Sequence, residues 1–470
     1  MRSTENQLTI DFDNLLSNLN SNFSIIQQTI DKYNRLDQIL NENSKIIKLV
    51  HDDLQTLSKR KRDNENRGRK DVYSTPTLLR ALIIKKMENY TFEQLTFYLA
   101  QVGIFRQFCS LGNRISIATA LMCRVEKAIS PQTWEKINFI LTSYAKSNSI
   151  VDDTEARMDA TVVENEVHYP TDSSLLWDSY RTLALYIRRI LGHFSFLPKM
   201  RFHIKKTKKY HLDITRYSKS TRKERKKFCK QTTKKLCRVV EQACAKALPI
   251  VQQAQQLWLN SEQSVPQKVQ SAIKWLLEKI PVMNQIVRAS FRRLHGENVP
   301  LNEKVFSLFE DHAEMIIRGR AGIPFEIGHK IFLSQSRSKF ILDYQVLEQN
   351  KPDTELPGVM IDRHEKLFGK GSLQTVHADK GCRTKEEEMK KLAQRVTNIS
   401  IPSRLRDLSE PKLVESQKFR AGIEGSISCL KRKFGLAITR KRGFKSFCSE
   451  IGLSIFCHNL RILTTLLFKT

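Results

Sequence analysis

Four shortages narrow this chain before any motif is read. No run of 18 apolar residues occurs in its 470 residues, so no segment is expected to cross a bilayer as a helix. The opening Met-Arg-Ser-Thr-Glu-Asn-Gln lacks the apolar region of a secretory leader. Nine cysteines are scattered without a single Cys-x2-Cys pair, which reads as reduced thiols rather than a zinc site or a disulfide framework. Acids are scarce as well: 49 Asp and Glu stand against 79 Lys and Arg, a net charge of +30. An excess of that size points to a polyanion, nucleic acid before anionic membrane. These features predict no membrane partner and a cytoplasmic protein, nucleoid-associated if the source is a bacterium, with room for two or three domains.

Residues 1–58 read as a polar helical segment with an apolar stripe. It runs through Ile10, Phe12, Leu15, Leu16, Leu19, Phe23, Ile26 and Ile30, then Leu36, Ile39, Leu40, Ile46, Ile47 and Val50. Such a stripe can dimerise or fold against the next domain. A basic linker follows, Lys59–Arg62 and Arg67–Lys70, suited to phosphate contacts without sequence choice. Thr75 is expected as an N-cap with Pro76 opening a helix, and Thr91-Phe-Glu-Gln94 is a capping box ahead of Leu95, Tyr98 and Leu99. Short helices around Ile104–Cys109 and Ser116–Ala128, broken at Gly103 and Gly112-Asn113, suit a helix-turn-helix DNA reader, although a plain bundle has the same pattern.

From Ser149 the texture turns to strand. Asp159 sits among β-prone residues, with a turn expected at Glu164-Asn165. A helical insertion over about 175–322 follows. Between Lys199 and Arg238 it carries 17 basic residues against Asp213 and Glu224, interleaved with Phe202, Tyr210, Tyr217 and Phe228. Either a solvated face or a polyanion surface has that composition. Cys229, Cys237 and Cys244 suit one side of a helix. Strands return at 323–333 and 340–347, joined by a Ser336–Lys339 turn as a hairpin. A helix over 358–368 carries His364, expected at the surface. The strand 373–382 ends in Asp379, where α/β folds present carboxylates to a cleft. A helix over 384–395, a strand over 396–401, a basic loop at Arg440–Arg442 and a closing helix over 447–467 complete the order around one last element.

That element is Gln417–Phe434. Phe419, Ile423, Ile427, Leu430 and Phe434 recur every three or four residues as a core face, and Arg420, Glu424 and Lys431 stack on the adjacent stripe. A carboxylate flanked by cations can hold a metal while the cations hold phosphate; an ordinary exposed ion pair has the same spacing. Arg-x3-Glu-x6-Lys, with Phe419 before it and Lys431-Arg-Lys-Phe-Gly-Leu436 after it, resembles the third catalytic motif of bacterial insertion-sequence DDE transposases of the Tyr-x2-Arg-x3-Glu-x6-Lys branch. Gln417 stands where that signature has tyrosine. Met158-Asp-Ala-Thr-Val-Val-Glu164 with His168–Leu176 resembles the first-Asp motif, and Val376-His-Ala-Asp-Lys-Gly-Cys382 the second, with Cys382 replacing an aromatic residue. Thr75–Leu99 resembles the domain that precedes the catalytic core in these enzymes, and 447–467 resembles their C-terminal end.

The resemblance implies an α/β fold: a ribonuclease H-like catalytic core over 151–470 interrupted by the helical insertion. An all-α N-terminal DNA-binding region (71–150) would precede it, after a helical segment and linker (1–70). It implies Asp159, Asp379 and Glu424 as the catalytic acids and the ligands of two Mg2+ ions, with Mn2+ the alternative. Arg420 and Lys431 would grip DNA beside the scissile phosphate, with Lys380, Arg432 and Lys433 as further DNA contacts. The implied activity is strand cleavage at element ends and strand transfer into target DNA by a homodimer on double-stranded DNA. A transposase-derived regulator that binds without cutting, and a metal-dependent nuclease without strand transfer, are the alternatives.

Overall fold

Alternation of polar and apolar residues builds the central strand. In the computed structural model Ala156 and Met158 of β1 (Glu155–Asn165) turn into the apolar core while Glu155, Arg157 and Asp159 share the other face. The structure describes residues 24–58, 73–112, 114–260, 264–320, 323–403 and 411–468. The expected apolar positions Ile10–Phe23, the basic linker and Asn113 lie outside them. The chain is mixed α/β and divides into two units, Met1–Asn165 with Gly328–Thr470, and Glu166–Ile327.

The other strands among the described residues are β2 (Glu314–Arg320), β3 (Ile323–Gln335), β4 (Ile341–Val346), β5 (Thr375–His377), β6 (Asn398–Ser400) and β7 (Ile438–Thr439). In the first unit β3 runs antiparallel along β1, from Arg157↔Gln335 to Glu164↔Gly328, and β4 folds back on β3. The turn between them is the expected Ser336–Lys339, with Lys339 at φ 68°. On the opposite edge of β1, β5 and then β6 run parallel to it. The order is therefore β4-β3-β1-β5-β6. Glu164 and Asn165 do not turn as expected. They continue β1 because β7 gives them a parallel partner, Glu164↔Ile438 and Asn165↔Thr439. Gly328 is required where β3 meets them, since a Cβ there would lie 2.0 Å from the Val163 carbonyl oxygen.

Helices α1 (Ser24–Glu42), α2 (Ser44–Ser58), α3 (Thr75–Met87), α4 (Phe92–Gln101), α5 (Gly103–Phe108), α6 (Thr119–Ala128) and α7 (Pro131–Ser147) share one core with the sheet. Leu36, Ile39, Leu40, Ile46 and Val50 of the predicted stripe are buried in it. Ser74, not Thr75, caps α3, accepting a hydrogen bond from the Thr77 amide and leaving Pro76 second in the helix. The Thr91–Gln94 capping box opens α4 as expected. Every residue of α3 is buried, including Lys85 and Lys86. Lys85 Nζ lies 3.0 Å from Glu126 and Lys86 pairs with Glu450; Lys441 pairs with Glu126 and lies 3.7 Å from Glu450. Burial pushes the Glu450 carboxyl up, but Lys86 and Lys441 outweigh it and hold Glu450 down to about 2.

The rest of this unit is α12 (Leu356–Phe368), α13 (Glu386–Ala393), α14 (Pro411–Arg432) and α15 (Phe444–Leu466), with Arg440–Arg442 in a loop. His364 is buried against the Phe368 ring, 4.5 Å between centroids, rather than at the surface, because α12 lays that side of its helix on the core. Burial keeps its imidazole below the usual histidine range. In α8 to α11 of the second unit (Asp172–His193, Ile204–Tyr217, Lys223–Leu259 and Gln267–Leu294), Leu183, Ile187, Leu236, Val240, Ile273 and Leu276 form a separate core. Cys237 and Cys244 face that core from α10, and all nine cysteines are free. The unit is wider than the expected insertion and not wholly helical, since β2 closes it. No described helix is long and apolar enough to cross a membrane.

Candidate active site

Two strands and one helix assemble the site. Arg157 on β1 pairs in register with His377 on the parallel neighbour β5. Two residues further along come Asp159, still within β1, and Asp379, past the end of β5 and close enough for its charge to raise the Asp159 proton affinity. Asp379 is the exposed residue just past β5, opening the 3-10 turn Lys380–Cys382. α14 covers this face. Its predicted apolar side holds, with Ile423, Leu430 and Phe434 buried, and Arg420 and Glu424 project beside it.

Arg420 joins strand to helix. Its Nη1 donates to Asp159 Oδ2 at 3.3 Å and its Nη2 to Glu424 Oε1 at 2.9 Å. The Asp159 Oδ1 accepts from the Ala160 amide at 2.7 Å. Burial raises the Asp159 proton affinity above the usual carboxylate range; Arg420 and the amide oppose it, while Asp379 and Glu424 add to it. Asp159 thus feels the charge of both other predicted acids. The Glu424 side chain is 62% exposed and the Arg420 side chain 15%. Among the described residues no group of three or more His, Cys, Asp or Glu is gathered tightly enough to hold a metal, and Arg420 fills the place between Asp159 and Glu424.

The predicted cations divide. Lys380 is exposed directly after Asp379, and Lys431 and Arg432 lie about two turns beyond Glu424 on α14. Lys433 stands apart: its charged neighbours are Arg461, Lys32 and Glu88, and burial together with Arg461 and Lys32 lowers its proton affinity. Gln417, where the signature has tyrosine, has a buried and unpartnered Nε2. Cys382, in the place of an aromatic ring, is buried close to Asp353, Asp159 and Asp379, and burial before those charges pushes its thiol up to about 12.

A supporting layer beneath the acids is absent from the sequence-based expectations. Arg157 is buried, 4% exposed, with Nε donating to Gln335 Oε1 and Nη1 to the Phe419 carbonyl, both at 2.8 Å. Its guanidinium crosses α14 at Gly422, where a Cβ would lie 2.1 Å from Nη1. The Phe419 ring is held between Arg157 and Arg337, 4.9 and 4.8 Å from its centroid. Beside it His377 bridges Ser416 Oγ (2.5 Å) and Glu155 Oε1 (3.1 Å), and Arg337 Nη2 closes on Glu155 Oε2 at 2.8 Å. Two signals for this layer were present. Glu155, Arg157 and Asp159 alternate with apolar residues, and a glycine inside a helix costs about 1 kcal/mol, so Gly422 calls for a packing reason.

No protein-family model, curated protein or solved structure matches this chain.

Proposed function

We propose that this protein is a DDE transposase: a metal-dependent enzyme that cuts double-stranded DNA at element ends and joins those ends to target DNA. The observation that carries the reading is Asp159 on β1, within reach of the charge of Asp379 just past the parallel strand β5 and tied to Glu424 through Arg420. The order β4-β3-β1-β5-β6, with the second unit entering between β1 and β3, supports a ribonuclease H-like core. An all-carboxylate donor set suits Mg2+, with Mn2+ the alternative. The raised proton affinity of Asp159 marks a carboxylate whose negative charge is poorly compensated, which is what a divalent cation would relieve. Asp159, Asp379 and Glu424 would hold two ions, which supply a hydroxide or activated 3′-OH and stabilise the leaving oxygen. Arg420, released from the carboxylates, would turn to the DNA backbone with Lys380, Lys431 and Arg432. Bridging two element ends calls for a homodimer on DNA.

One observation favours a second reading. Arg420 bridges Asp159 and Glu424 and takes the place between them, as in a regulator that binds DNA without cutting it. The test is a Mg2+-dependent cleavage assay on duplex carrying the DNA that flanks the gene, with Asp379→Asn beside the wild type. Specific nicks at inverted ends that vanish in the variant are expected. Tight binding with no cutting by either protein would overturn the enzyme and leave the regulator, and cutting without joining would leave a nuclease.

A further inference from the structure

The second unit carries a concentration of positive charge that the acids do not need. All 17 cations between Lys199 and Arg238 are exposed, while Asp213 and Glu224 are the only acids among them. Among the described residues none of the 17 forms an ion pair; Arg225 alone has a partner, lying over the Tyr217 ring at 5.1 Å. On α10 Lys226, Lys230, Lys234 and Arg238 recur every four residues. On a helix that spacing makes one row, roughly 6 Å per step and about 18 Å long. Like charges four apart destabilise a helix by a few tenths of a kcal/mol per pair, so the row works against the fold that holds it. A polyanion laid along it reverses that repulsion.

The inner sides of the same helices decide which polyanion fits. Thr207 and Ile214 of α9 and Thr232, Thr233, Leu236 and Cys237 of α10 face the unit's core, and the exposed Phe196, Leu212 and Phe228 are single side chains among the cations rather than a broad apolar side to sink into lipid. Single strands are held largely by bases stacked on open aromatic platforms. Here the Tyr217 ring is taken by Arg225 and, edge-on, by Phe228, 5.9 Å between centroids. A straight, rigid row of cations matches a rigid rod of regularly spaced phosphates. We infer that the Lys226–Arg238 row of α10 is a binding surface for the phosphate backbone of double-stranded DNA, independent of base sequence. The surface is separate from the carboxylate site and stands without the catalytic reading.

The test uses the full chain in EDTA, where no metal-dependent cutting occurs, and a 30-base-pair duplex of arbitrary sequence. Binding is followed by fluorescence anisotropy from about 50 to 300 mM salt. K226Q/K230Q/K234Q is compared with K268Q/K274Q/R288Q, which removes the same charge from exposed positions on α11. Circular dichroism melts verify that both variants fold. If each lysine of the row neutralises one phosphate, the log–log salt slope flattens by about 3 in the first variant, and its affinity near 100 mM falls on the order of a hundredfold. The α11 variant should keep the wild-type slope. Equal losses in both variants would make the effect net charge rather than a surface and overturn the inference. So would an unchanged slope in the first variant, or wild-type preference for duplex RNA or phosphatidylserine vesicles over duplex DNA. An Asp379→Asn protein that binds as wild type but does not cut separates this surface from the catalytic proposal.

Discussion

Replacing Gly422 with alanine should loosen the helix that carries Arg420 and Glu424, although alanine is the better helix former. The new Cβ would lie 2.1 Å from Nη1 and 3.0 Å from the central carbon of the Arg157 guanidinium, so Arg157 has to withdraw. Withdrawal breaks its hydrogen bond to the Phe419 carbonyl while the group stays buried. A hydrogen bond to a charged group contributes about 1.5–3 kcal/mol, and the desolvated guanidinium keeps its burial penalty. Alanine returns about 1 kcal/mol of helix propensity, leaving a net loss of about 1–2 kcal/mol. Gly425, one turn on, is the matched control: nothing lies within 4 Å of a Cβ there, so Gly425→Ala should gain up to about 1 kcal/mol. Urea titrations followed by circular dichroism measure both through the shift in midpoint at constant slope. If the two variants move together, in either direction, the clamp between Arg157 and α14 does not exist in solution and the reasoning fails.

Three further outcomes follow from the same unit. Asp159 binds its proton more tightly folded than unfolded, so its contribution lowers stability as pH rises above the ordinary carboxylate value of 3.8. Asp159→Asn should therefore gain on the wild type between pH 4 and pH 7 in urea titrations without metal; a gap that does not widen would refute the burial argument. Adding millimolar Mg2+ at pH 7 should raise the wild-type melting temperature and leave the asparagine variant unmoved, by mass action on the folded state. Glu450→Gln removes one of two carboxylates facing Lys85, Lys86 and Lys441 in the buried network. Leaving those cations short of a partner should cost about 3–5 kcal/mol, and a urea midpoint within error of wild type would show that water reaches them.

Local chemistry was readable in the sequence, and long-range compensation was not. The Thr91–Gln94 capping box, the hairpin turn at Ser336–Lys339 and the apolar face of α14 depend on residues within a few positions of one another, and each appears as its spacing predicts. Ser74 displaced Thr75 because both can cap and only the backbone's entry angle chooses between them. The uniform burial of α3 was hidden, since Lys85 and Lys86 look like a solvated end until Glu126 and Glu450 arrive from elsewhere in the chain. The Arg157 layer was hidden for the same reason: its acceptors are Gln335 and Phe419. Asp159 comes near Asp379 because β1 and β5 pair in parallel, which no spacing along one chain contains.

The interruption of the first unit also sets an order of events during synthesis. α1 to α7 bury their apolar faces in a core that includes Ile451, Phe456, Leu460 and Leu463 of α15, which leave the ribosome after the whole second unit. β1 meanwhile waits for β3, whose first partner at Glu164 is Gly328. Between them lies a contiguous unit that needs nothing from either side to complete its own core. The usual N-terminal-first order of domain folding is therefore expected to reverse here. The second unit would mature while α1 to α7 and β1 are held open. For that interval α3 exposes Leu78, Leu79, Leu82, Ile83 and Ile84. Slow or stalled translation between β1 and α15 should thus be the step at which this protein is lost to aggregation or captured by chaperones.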